Sequence, residues 1–426
     1  MRNTFTYVNQ YFSLNNLLNF SKRYTYSCVL LSNKYSDKYS QYQTIVCLGS
    51  RQVIESNSNS FDKLKNFQTY NKDWLFGFLS YDLKNEVEQL QSKNIDNFSL
   101  PNLFFFIPQT ILFISDKDLI VETFFTKEKI DKMIEDIKNE KLSAGHCQSI
   151  ELTPRENKEQ YLHKIRKIKN HIQRGDIYEM NYCQELYSKD THIDPEKVFL
   201  ELNKSSKAPF SVYFKYNDKY LLCSSPERFL QKKGDRIISQ PIKGTRKRGS
   251  SKKQDKILLN DLTNSQKDKS ENVMIVDLVR NDLSRTAKKS SVKVEELFGI
   301  YSFEKVHQMI TTISSEIDKN FDFIEVLKSC FPMGSMTGAP KLKAMELIDR
   351  YETTKRSLYS GAFGYISPDQ DFDFNVVIRS ILYDSVSSYV SVLVGGAITI
   401  NSDEIEEYEE CLIKAQAMID VLKNER

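Results

Sequence analysis

A single lysine, Lys243, stands between a proline and a glycine in residues 240–246 (QPIKGTR). Both neighbours restrict or shape the backbone, so this lysine is a candidate nucleophile. An unperturbed lysine has a pKa of about 10.4, and roughly one molecule in 10³ carries a neutral amine at pH 7. The cations that follow, Arg246 to Arg248, would lower the pKa of Lys243, as would burial. The alternative is a basic surface turn.

Two predicted helices each carry a pair of acidic residues on an otherwise apolar face. Asp268 and Glu271 share one such stripe, and Glu407 and Glu410 share another beside Lys414. A buried carboxylate must be paired, protonated or bound to a metal, because leaving it bare costs several kcal/mol. Carboxylates without histidine suit Mg²⁺, which also takes water and substrate oxygens. The alternative is a set of surface acids that pair with nearby lysines.

Two glycine-containing segments are suited to holding an anion. Residues 331–341 (FPMGSMTGAPK) lead into a helix and residues 394–397 (VGGA) end a strand, so both expose backbone N–H groups. Helix caps and turns are the simpler explanation of such segments. Glu227, in the segment SPERF, follows a strand that ends at Ser224 and is a candidate general acid. A surface pair with Arg228 is the alternative.

Composition limits the classes of protein to which the chain can belong. It has 426 residues, of which 40% are hydrophobic and 27% charged, so a globular protein is expected rather than a disordered or fibrous one. The net charge of +3 is too small to indicate a nucleic-acid partner. There is no secretory signal or membrane-spanning run, and the 7 cysteines form no CxxC pair. We therefore expect a cytoplasmic protein with free thiols, without disulfides or a zinc site.

The hydrophobic pattern divides the chain into two units. Aromatic and branched runs predict strands up to about residue 126, and a helix follows over residues 127–142. Residues 143–148 interrupt this pattern. We accordingly predict an N-terminal unit over residues 1–145 and a catalytic unit over residues 150–426.

The second unit is predicted to begin with a capped helix and to continue as mixed α and β structure. Thr153, Pro154 and Glu156 form a capping box for this helix, which Gly175 ends. Short strands then alternate with helices, among them one over Gln266–Leu283. Short connections favour antiparallel sheets over a doubly wound parallel sheet.

These segments together resemble the chorismate-utilising enzymes, in order from about residue 150 to residue 420. The motifs that carry the resemblance are SPERF, PIKGT, SENVMIVDLVRNDL, FPMGSMTGAPK, GAFGYIS, VVIRS, VGGAI and EYEECLIKA. Within the family, Lys243 in PIKGT resembles the aminodeoxychorismate synthase component I branch, whereas anthranilate synthase component I usually has a small residue there. Residues 77–85, which contain FLSYDLKN, resemble the N-terminal region of the same branch.

The resemblance implies a role for each residue that matches a family motif. It assigns Mg²⁺ to Glu271 and Glu410, with Asp268 and Glu407 as supporting acids, and it assigns the general acid to Glu227. The positions that it assigns to the substrate pocket are Thr245, His307, Tyr365, Arg379, Gly395, Gly396, Ala397 and Lys414.

Two positions depart from the family pattern. Cys411 stands where a threonine is usual, and Glu179 stands where the amine-transferring branches commonly have glutamine. Water-using relatives that make isochorismate or salicylate have a lysine base at the position of Glu179, so the resemblance argues against those reactions. Neither departure removes a core catalytic group, and we expect them to affect substrate positioning rather than the class of reaction.

The activity implied by the resemblance is amination of chorismate. Ammonia would replace the C4 hydroxyl through a covalent intermediate on Lys243 and give 4-amino-4-deoxychorismate, for 4-aminobenzoate and folate synthesis. The chain shows no segment that resembles a glutaminase, so a separate glutamine amidotransferase subunit is expected to form a heterodimer with it and supply the ammonia. The implied fold is a large α/β unit with two packed antiparallel sheets. The alternatives are anthranilate synthase component I and a noncatalytic protein that binds chorismate or regulates a partner.

Overall fold

The structure is a computed structural model that describes residues 1–8, 10–35, 37–140 and 149–423. The interruption predicted over residues 143–148, and with it Cys147, lies outside the described residues. The remaining cysteines are buried and free, so the expectation of free thiols is confirmed for them. None of the helices described is long and apolar enough to cross a membrane.

The described residues form 20 strands. The strands are β1 (Asn3–Val8), β2 (Tyr26–Leu31), β3 (Thr44–Ser56), β4 (Leu75–Leu79), β5 (Leu103–Ile114), β6 (Asp118–Thr123), β7 (Thr153–Pro154), β8 (Glu179–Ser188), β9 (Phe210–Tyr216), β10 (Lys219–Ser225), β11 (Arg228–Lys233), β12 (Arg236–Gln240), β13 (Ile242–Lys247), β14 (Lys293–Ser302), β15 (Val306–Glu316), β16 (Gly338–Ala339), β17 (Ala362–Ile366), β18 (Phe372–Val376), β19 (Ser380–Asp384) and β20 (Tyr389–Ile398). The helices are α1 (Leu14–Ser21), α2 (Ser60–Asn71), α3 (Lys84–Val87), α4 (Lys127–Lys138), α5 (Lys158–Gln173), α6 (Pro195–Ser206), α7 (Lys252–Asn264), α8 (Gln266–Ser284), α9 (Phe323–Cys330), α10 (Lys341–Tyr351) and α11 (Glu404–Lys423). Two 3₁₀ turns lie at Tyr81–Leu83 and Gly334–Met336.

The strands join one hydrogen-bonded network in which every pairing between named strands is antiparallel. The network divides at β5, which pairs with β3 along one edge and with β4 and then β6 along the other. We call β3–β2–β9–β10–β19–β20–β8 the first arm. The second arm is β4–β17–β18–β11–β12–β15.

The two arms pack face to face around an aromatic core. Phe214 of β9 lies against Phe363 of β17, with ring centroids 4.9 Å apart, and Phe78 of β4 lies 6.0 Å from Phe214. Such ring pairs contribute about 0.5–1.5 kcal/mol each beyond the area that they bury. The predicted α/β fold with two packed antiparallel sheets is therefore confirmed, with the addition that both layers belong to one network joined at β5.

Helices cover the outer face of each arm. On the first arm, α1, α4, α5, α6 and α11 bury residues such as Ile165 and Met418 against β20. On the second arm, α2, α8 and α9 bury residues such as Ile275 and Leu327 against β11 and β18. The apolar stripes at helical spacing in the sequence are these buried faces. Helices α8 and α11, with their acidic pairs, are thereby held on different arms.

Strands from both predicted units contribute to each arm. Strand β2 pairs with β9 in the first arm, and β4 pairs with β17 in the second. The N-terminal strands are thus bonded directly to strands of the predicted catalytic unit. The division into residues 1–145 and 150–426 stays a prediction.

Helix α5 begins later than the sequence pattern indicated. Thr153 and Pro154 form the short strand β7, and the N-cap is Asn157, whose side chain accepts from the backbone N–H of Gln160. The Gln160 side chain in turn accepts from the Asn157 N–H, which completes a capping box four residues further along the chain. The predicted start at Thr153 was therefore wrong, because two adjacent segments both match the capping pattern.

The segment FLSYDLKN binds the turn that follows α10 through hydrogen bonds and an ion pair. The backbone N–H of Tyr81 donates to the carbonyl of Ser357 at 2.8 Å, and the N–H of Ser357 donates to Asp82 at 3.2 Å. Lys84, which is completely buried, pairs with Asp349 at the end of α10 at 2.6 Å. This turn carries Arg356 and Tyr359 toward the cavity described next.

Candidate active site

A cavity of about 510 Å³ opens between the two arms and is bounded by β13, β15, β20, α8 and α11. Its size lies within the range of about 300–1,000 Å³ that is usual for small-molecule sites. The predicted site residues that line it are Glu227, Lys243, Thr245, Asp268, Glu271, Arg379, Gly395, Gly396, Ala397, Glu407, Glu410 and Lys414. The structure thus brings together all but two of the predicted site residues.

Lys243 reaches the cavity because β13 is irregular at this point. The register between β13 and β15 shifts between Ile242 and Thr245, so Lys243 and Gly244 interrupt the ladder. Such a bulge redirects a side chain. Gly244 has a φ of +90°, and a Cβ there would lie 2.9 Å from a methyl carbon of Leu262. Gly244 therefore allows the irregular backbone that directs Lys243 into the cavity.

Lys243 is paired with a carboxylate, contrary to the expectation that neighbouring cations would lower its pKa. Its Nζ lies 3.1 Å from Oε1 of Glu179, and the two side chains are 11% and 2% exposed. Burial lowers the pKa of Lys243, but the carboxylates of Glu179, Glu271 and Glu227 outweigh it and raise the pKa above its ordinary value.

The cations next to Lys243 in sequence are neutralised by acids. Arg246 binds Asp261 at 2.6 Å and Asp268 at 3.0 Å, and Arg248 binds Asp255 at 2.7 Å. The predicted lowering of the lysine pKa by this cationic run was therefore wrong. The contacts in the cavity therefore favour the ammonium form of Lys243.

Glu227 is held as a buried carboxyl group at the edge of the cavity. Its side chain accepts a hydrogen bond from Oγ of Ser335 at 2.7 Å. Burial raises the pKa of Glu227 to about 7, and Ser335, Lys243 and the backbone of Ile242 offset burial only in part. A carboxyl group with a pKa close to neutral is suited to donating a proton as a general acid.

The acidic pairs of α8 and α11 face each other across the cavity. Burial raises the pKa of Glu271 to about 7, with Lys243 opposing the shift and Glu179 adding to it. Burial also raises the pKa of Glu407, to which Ser402 donates at 2.7 Å. Glu410 binds Lys414 at 2.7 Å, and this lysine lowers its pKa. Extra positive charge would stabilise the ionised forms of Glu271 and Glu407.

These carboxylates fit the donor chemistry of Mg²⁺. They offer oxygen ligands from two facing helices, which a small hard cation prefers. Among the described residues no group of three or more His, Cys, Asp or Glu side chains is close enough to hold a metal ion by itself. A magnesium ion would accordingly take part of its ligand set from water and substrate, as is usual for this ion.

The other wall of the cavity is built from β20, α11 and Arg379. Nζ of Lys414 donates to the Gly395 carbonyl at 2.9 Å. At Gly396 an added Cβ would lie 3.2 Å from Oε2 of Glu407 and 3.5 Å from Nζ of Lys414, so glycine keeps this approach open. Arg379 has a φ of +53° and donates to the Lys414 carbonyl at 2.8 Å. A positive φ at a non-glycine residue is strained and is typical of functional sites.

His307 and Tyr365 do not line this cavity, in contrast to the prediction. Val306 and Gln308 face it, and because alternate residues of a strand point to opposite sides, His307 faces away. His307 instead contacts Ser302 at 2.8 Å and Asp255 at 3.0 Å.

Tyr365 lies in the aromatic core between the arms. Its ring centroid is 5.7 Å from that of Trp74 and 5.9 Å from that of Tyr42, and it borders a separate cavity of about 60 Å³. Contact with a substrate carboxylate in the main cavity is not supported for Tyr365, because β17 turns this side chain toward the opposite layer.

The polar residues that line the cavity without having been predicted as site residues include Asn181, Lys267, Ser335 and Tyr359. Ser335 lies inside the FPMGSMTGAPK segment, so the motif could have indicated it. Asn181 lies two residues after Glu179 on β8 and shares its face, which the alternation of the strand would have shown. Lys267 and Tyr359 carry no such signal, because their positions depend on packing between distant elements.

A buried arginine holds several parts of the cavity wall together. Arg356 is 1% exposed and donates to both carboxylate oxygens of Glu352, to the Met336 carbonyl at 2.7 Å and to the Asn181 carbonyl at 3.0 Å. Glu352 also accepts from the backbone N–H of Cys183 at 2.9 Å. The pair thereby fixes β8 and the 3₁₀ turn at Gly334–Met336 relative to each other.

The model of the chorismate binding enzyme family matches residues 26–420. The chain belongs to this family. The match spans both predicted units, and it includes the strands of both arms as well as the cavity. The family resemblance that the motifs indicated is therefore confirmed.

Curated relatives in the family include several aminodeoxychorismate synthases. The aminodeoxychorismate synthase component 1 of Bacillus subtilis (strain 168) is 30% identical over 356 residues, which cover 80% of this chain and 75% of the relative. The protein of the same name from Escherichia coli (strain K12) is 36% identical over 266 residues, which cover 62% of this chain and 58% of the relative. The anthranilate synthase component 1 of Aquifex aeolicus (strain VF5) is 28% identical over 368 residues, 82% of this chain and 74% of that protein.

Solved structures agree with the fold. Anthranilate synthase component I from Streptococcus pneumoniae superposes with a TM-score of 0.78 at 21% identity, covering 91% of this chain and 95% of that one. MenF, the menaquinone-specific isochorismate synthase from Escherichia coli, gives a TM-score of 0.80 at 17% identity, covering 99% of this chain and 95% of that one. These family members share the architecture of the two arms.

Proposed function

We propose that the protein is an aminodeoxychorismate synthase component I, which replaces the C4 hydroxyl of chorismate with ammonia. The observation that carries the proposal is the position of Lys243, buried in the cavity beside Glu179 and electrostatically coupled to Glu227. The names of the relatives from Bacillus subtilis and Escherichia coli support the same activity. We place the reaction in the cytoplasm, because buried free thiols suit a reducing compartment.

Two regions of the cavity would bind the two carboxylates of chorismate. Arg379 and Lys414 supply positive charge at one wall, next to the backbone of Gly395 to Ala397. Thr245 and the carboxylates of Glu271 and Glu410 lie on the remaining sides. When bound, Mg²⁺ would neutralise the ring carboxylate and draw electron density toward C1. Anchoring both carboxylates orients the ring so that C2 faces Lys243 and C4 faces Glu227.

Lys243 would act as the nucleophile and Glu227 as the general acid. The neutral amine attacks C2 while Glu227 donates a proton to the C4 hydroxyl, which leaves as water. Ammonia then attacks C4, and Lys243 leaves C2 with its bonding electron pair. The enolpyruvyl group is retained, so no pyruvate is released.

The contact between Lys243 and Glu179 provides a path for the proton that the ammonium form must lose. Glu179 Oε1 accepts the hydrogen bond from Nζ, and Glu179 Oε2 is buried with no hydrogen-bond partner among the described residues. Glu179 would take the proton when the lysine attacks and return it when the lysine leaves. This role fits a carboxylate, whereas a glutamine at this position could only orient the amine.

A separate glutamine amidotransferase subunit would supply the ammonia. A glutaminase nucleophile requires a cysteine with a lowered pKa. Burial instead raises the pKa of Cys223, Cys330 and Cys411, each to about 11 or 12. The purified chain should therefore use ammonium at high concentration and glutamine only when the second subunit is present. Efficient use of glutamine by the chain alone would contradict this.

The decisive test is the product formed from chorismate, ammonium and Mg²⁺. Aminodeoxychorismate is expected, identified by mass spectrometry, without release of pyruvate. Anthranilate with pyruvate would show the anthranilate synthase reaction instead, and binding of chorismate without turnover would show a noncatalytic protein.

A second measurement tests the covalent step directly. Without ammonia, dehydrated chorismate should accumulate on Lys243 and be seen by peptide mass spectrometry. Lys243→Ala should form no adduct, and Lys243→Arg should also fail because a guanidinium stays protonated. Full synthesis by Lys243→Ala would mean that ammonia attacks without a covalent intermediate.

A further inference from the structure

A much smaller cavity than the main one is lined in part by Glu227. Its volume is about 20 Å³, and its lining includes the side chains of Ser239, Val279, Asp282 and Ser335. A single water molecule needs roughly 10–15 Å³ and two to four polar partners. The cavity therefore has the size and the polar groups for one water molecule.

This small cavity borders the main cavity on one side and the Asp282–Lys341 ion pair on the other. Glu227 and Ser335 line both cavities. At the opposite end Asp282 accepts a hydrogen bond from Nζ of Lys341, and the side chain of Lys341 is 12% exposed. Two hydrogen-bonded pairs, Ser335–Glu227 and Lys341–Asp282, thus lie on opposite sides of the small cavity.

The proposed reaction consumes one proton in each turnover. Glu227 gives its proton to the C4 hydroxyl, which leaves as water. Ammonia adds to C4 as an ammonium group, and an alkyl amine keeps that proton at neutral pH, as the reference pKa of about 10.4 for lysine shows. Chorismate, ammonia and one proton therefore give protonated aminodeoxychorismate and water. Lys243 and Glu179 exchange a proton with each other and supply none, so Glu227 must recover its proton from solvent.

We propose that the small cavity binds one water molecule and that this water reprotonates Glu227 from the Asp282–Lys341 pair. Nζ of Lys341 gives a proton to Asp282, Asp282 gives it to the water, the water passes one to Ser335 or directly to Glu227, and Lys341 regains a proton from solvent. Asp282 is a relay residue and does not touch the substrate. The inference rests on the proposed function, because it takes Glu227 as the general acid.

The electrostatics of both ends suit this transfer. Burial raises the pKa of Asp282 above its ordinary value, with Lys341 opposing the shift. Burial also raises the pKa of Glu227 to about 7. Both carboxyl groups therefore hold a proton more strongly than exposed acids do. Their pKa values thus lie closer to the pH at which the reaction would run.

Two substitutions interrupt the path without changing the main cavity. Val279→Ile adds one methylene group, which fills the small cavity and excludes the water. Asp282→Asn keeps the size and a hydrogen-bond acceptor for Lys341 but removes the acid. Val279→Ala enlarges the cavity and is the matched control. Thermal unfolding establishes that each variant is folded at the assay temperature.

The test separates the first turnover from the later ones when it is run below about pH 7, because Glu227 then begins mostly in its protonated form. Without ammonia, the rate of adduct formation on Lys243 should stay within about twofold of wild type in all three variants. With ammonium, the steady-state rate should fall on the order of tenfold in Val279→Ile and Asp282→Asn but not in Val279→Ala. A small diffusible acid such as imidazolium should restore part of the rate of Asp282→Asn.

Several results would overturn the proton path. One is a wild-type steady-state rate in both Val279→Ile and Asp282→Asn, and another is slower adduct formation in either variant. A third is a higher KM for ammonium at unchanged kcat in either variant, which would indicate that the cavity conducts ammonia. Failure of the proposed function would be seen separately, as the absence of both adduct and amination in the wild-type protein.

Discussion

Nζ of Lys243 lies 3.1 Å from Oε1 of Glu179, although 64 residues separate the two in sequence. Strand β8 contributes the acid and the bulged strand β13 contributes the lysine. Both side chains are almost completely buried, so their attraction is screened little by solvent. The contact favours the ammonium form of Lys243, so the proposed nucleophile has to lose a proton before it can attack.

The first prediction concerns the pKa of Lys243 when this contact is removed. Glu179→Gln keeps the shape of the side chain but removes the largest of the carboxylate contributions that raise the lysine pKa, while the opposing effect of burial remains. The pKa of Lys243 should therefore fall. The measurement is the pH dependence of labelling by a small amine reagent in the substrate-free protein, followed by peptide mass spectrometry.

An unchanged or higher midpoint for Lys243 in the variant would show that the carboxylate does not control the lysine.

The motifs of the sequence were sufficient to predict twelve of the residues that line the cavity. Glu271 and Glu410 are on different helices, yet the family resemblance placed both at one site, and the structure places both on its lining. The antiparallel α/β fold also followed from short strands and short connections. These features are predictable because each depends on a local pattern or on a motif that keeps its order along the chain.

The features that could not be predicted depend on which distant residues meet. Arg246 and Arg248 are adjacent to Lys243 in sequence, but their acids, Asp261, Asp268 and Asp255, come from α7 and α8. A motif also does not show to which side of a strand each of its residues points. His307 is one residue from Gln308, and the alternation of β15 turns only the latter toward the cavity.

The second prediction is a loss of activity as the pH rises through about 7, because Glu227 must be protonated to act as an acid and its pKa is raised to about 7. Glu227→Gln should abolish this alkaline limb and lower kcat about 10²- to 10⁴-fold. A pH profile of adduct formation provides the measurement. An unchanged rate in the variant would assign the general acid to another group.

The same substitution should also change the pH dependence of stability. The folded-state pKa of Glu227 is about 7, above its ordinary value of 4.5, so the folded protein binds this proton more tightly than the unfolded chain. The contribution of the protonated group is present at low pH and is lost as the pH rises through the folded pKa. Relative to wild type, Glu227→Gln should gain on the order of 3 kcal/mol of unfolding free energy between about pH 5 and pH 9. Urea denaturation at both pH values measures this difference.

The third prediction concerns the metal. Glu271→Gln and Glu410→Gln each remove one anionic oxygen ligand and should abolish turnover while the protein stays folded. Excess Mg²⁺ should restore part of the rate. A readout independent of activity is the rise in Tm caused by Mg²⁺ with chorismate, which should be smaller in both variants because the ion stabilises only the folded protein. Near-wild-type rates of both variants at limiting Mg²⁺ would contradict the assignment.

The last prediction compares Arg356, which is buried behind the wall of the cavity, with the neighbouring hydroxyl group of Tyr81. Arg356 binds Glu352, Met336 and Asn181, so Arg356→Met removes the cation that pairs with a buried carboxylate and the donor to two carbonyl oxygens. The free energy of unfolding should fall by about 3–5 kcal/mol. At a temperature where the variant is still folded, the KM for chorismate should rise, because Asn181 and Met336 line the cavity.

Tyr81 is the matched control. Its ring lies 4.5 Å from the guanidinium carbon of Arg356, but its buried hydroxyl has no hydrogen-bond partner among the described residues. Tyr81→Phe should therefore leave stability unchanged or slightly higher, since it removes an unsatisfied polar group and keeps the ring. Equal losses in both variants would mean that packing around this turn, and not the hydrogen bonds of Arg356, holds the wall of the cavity.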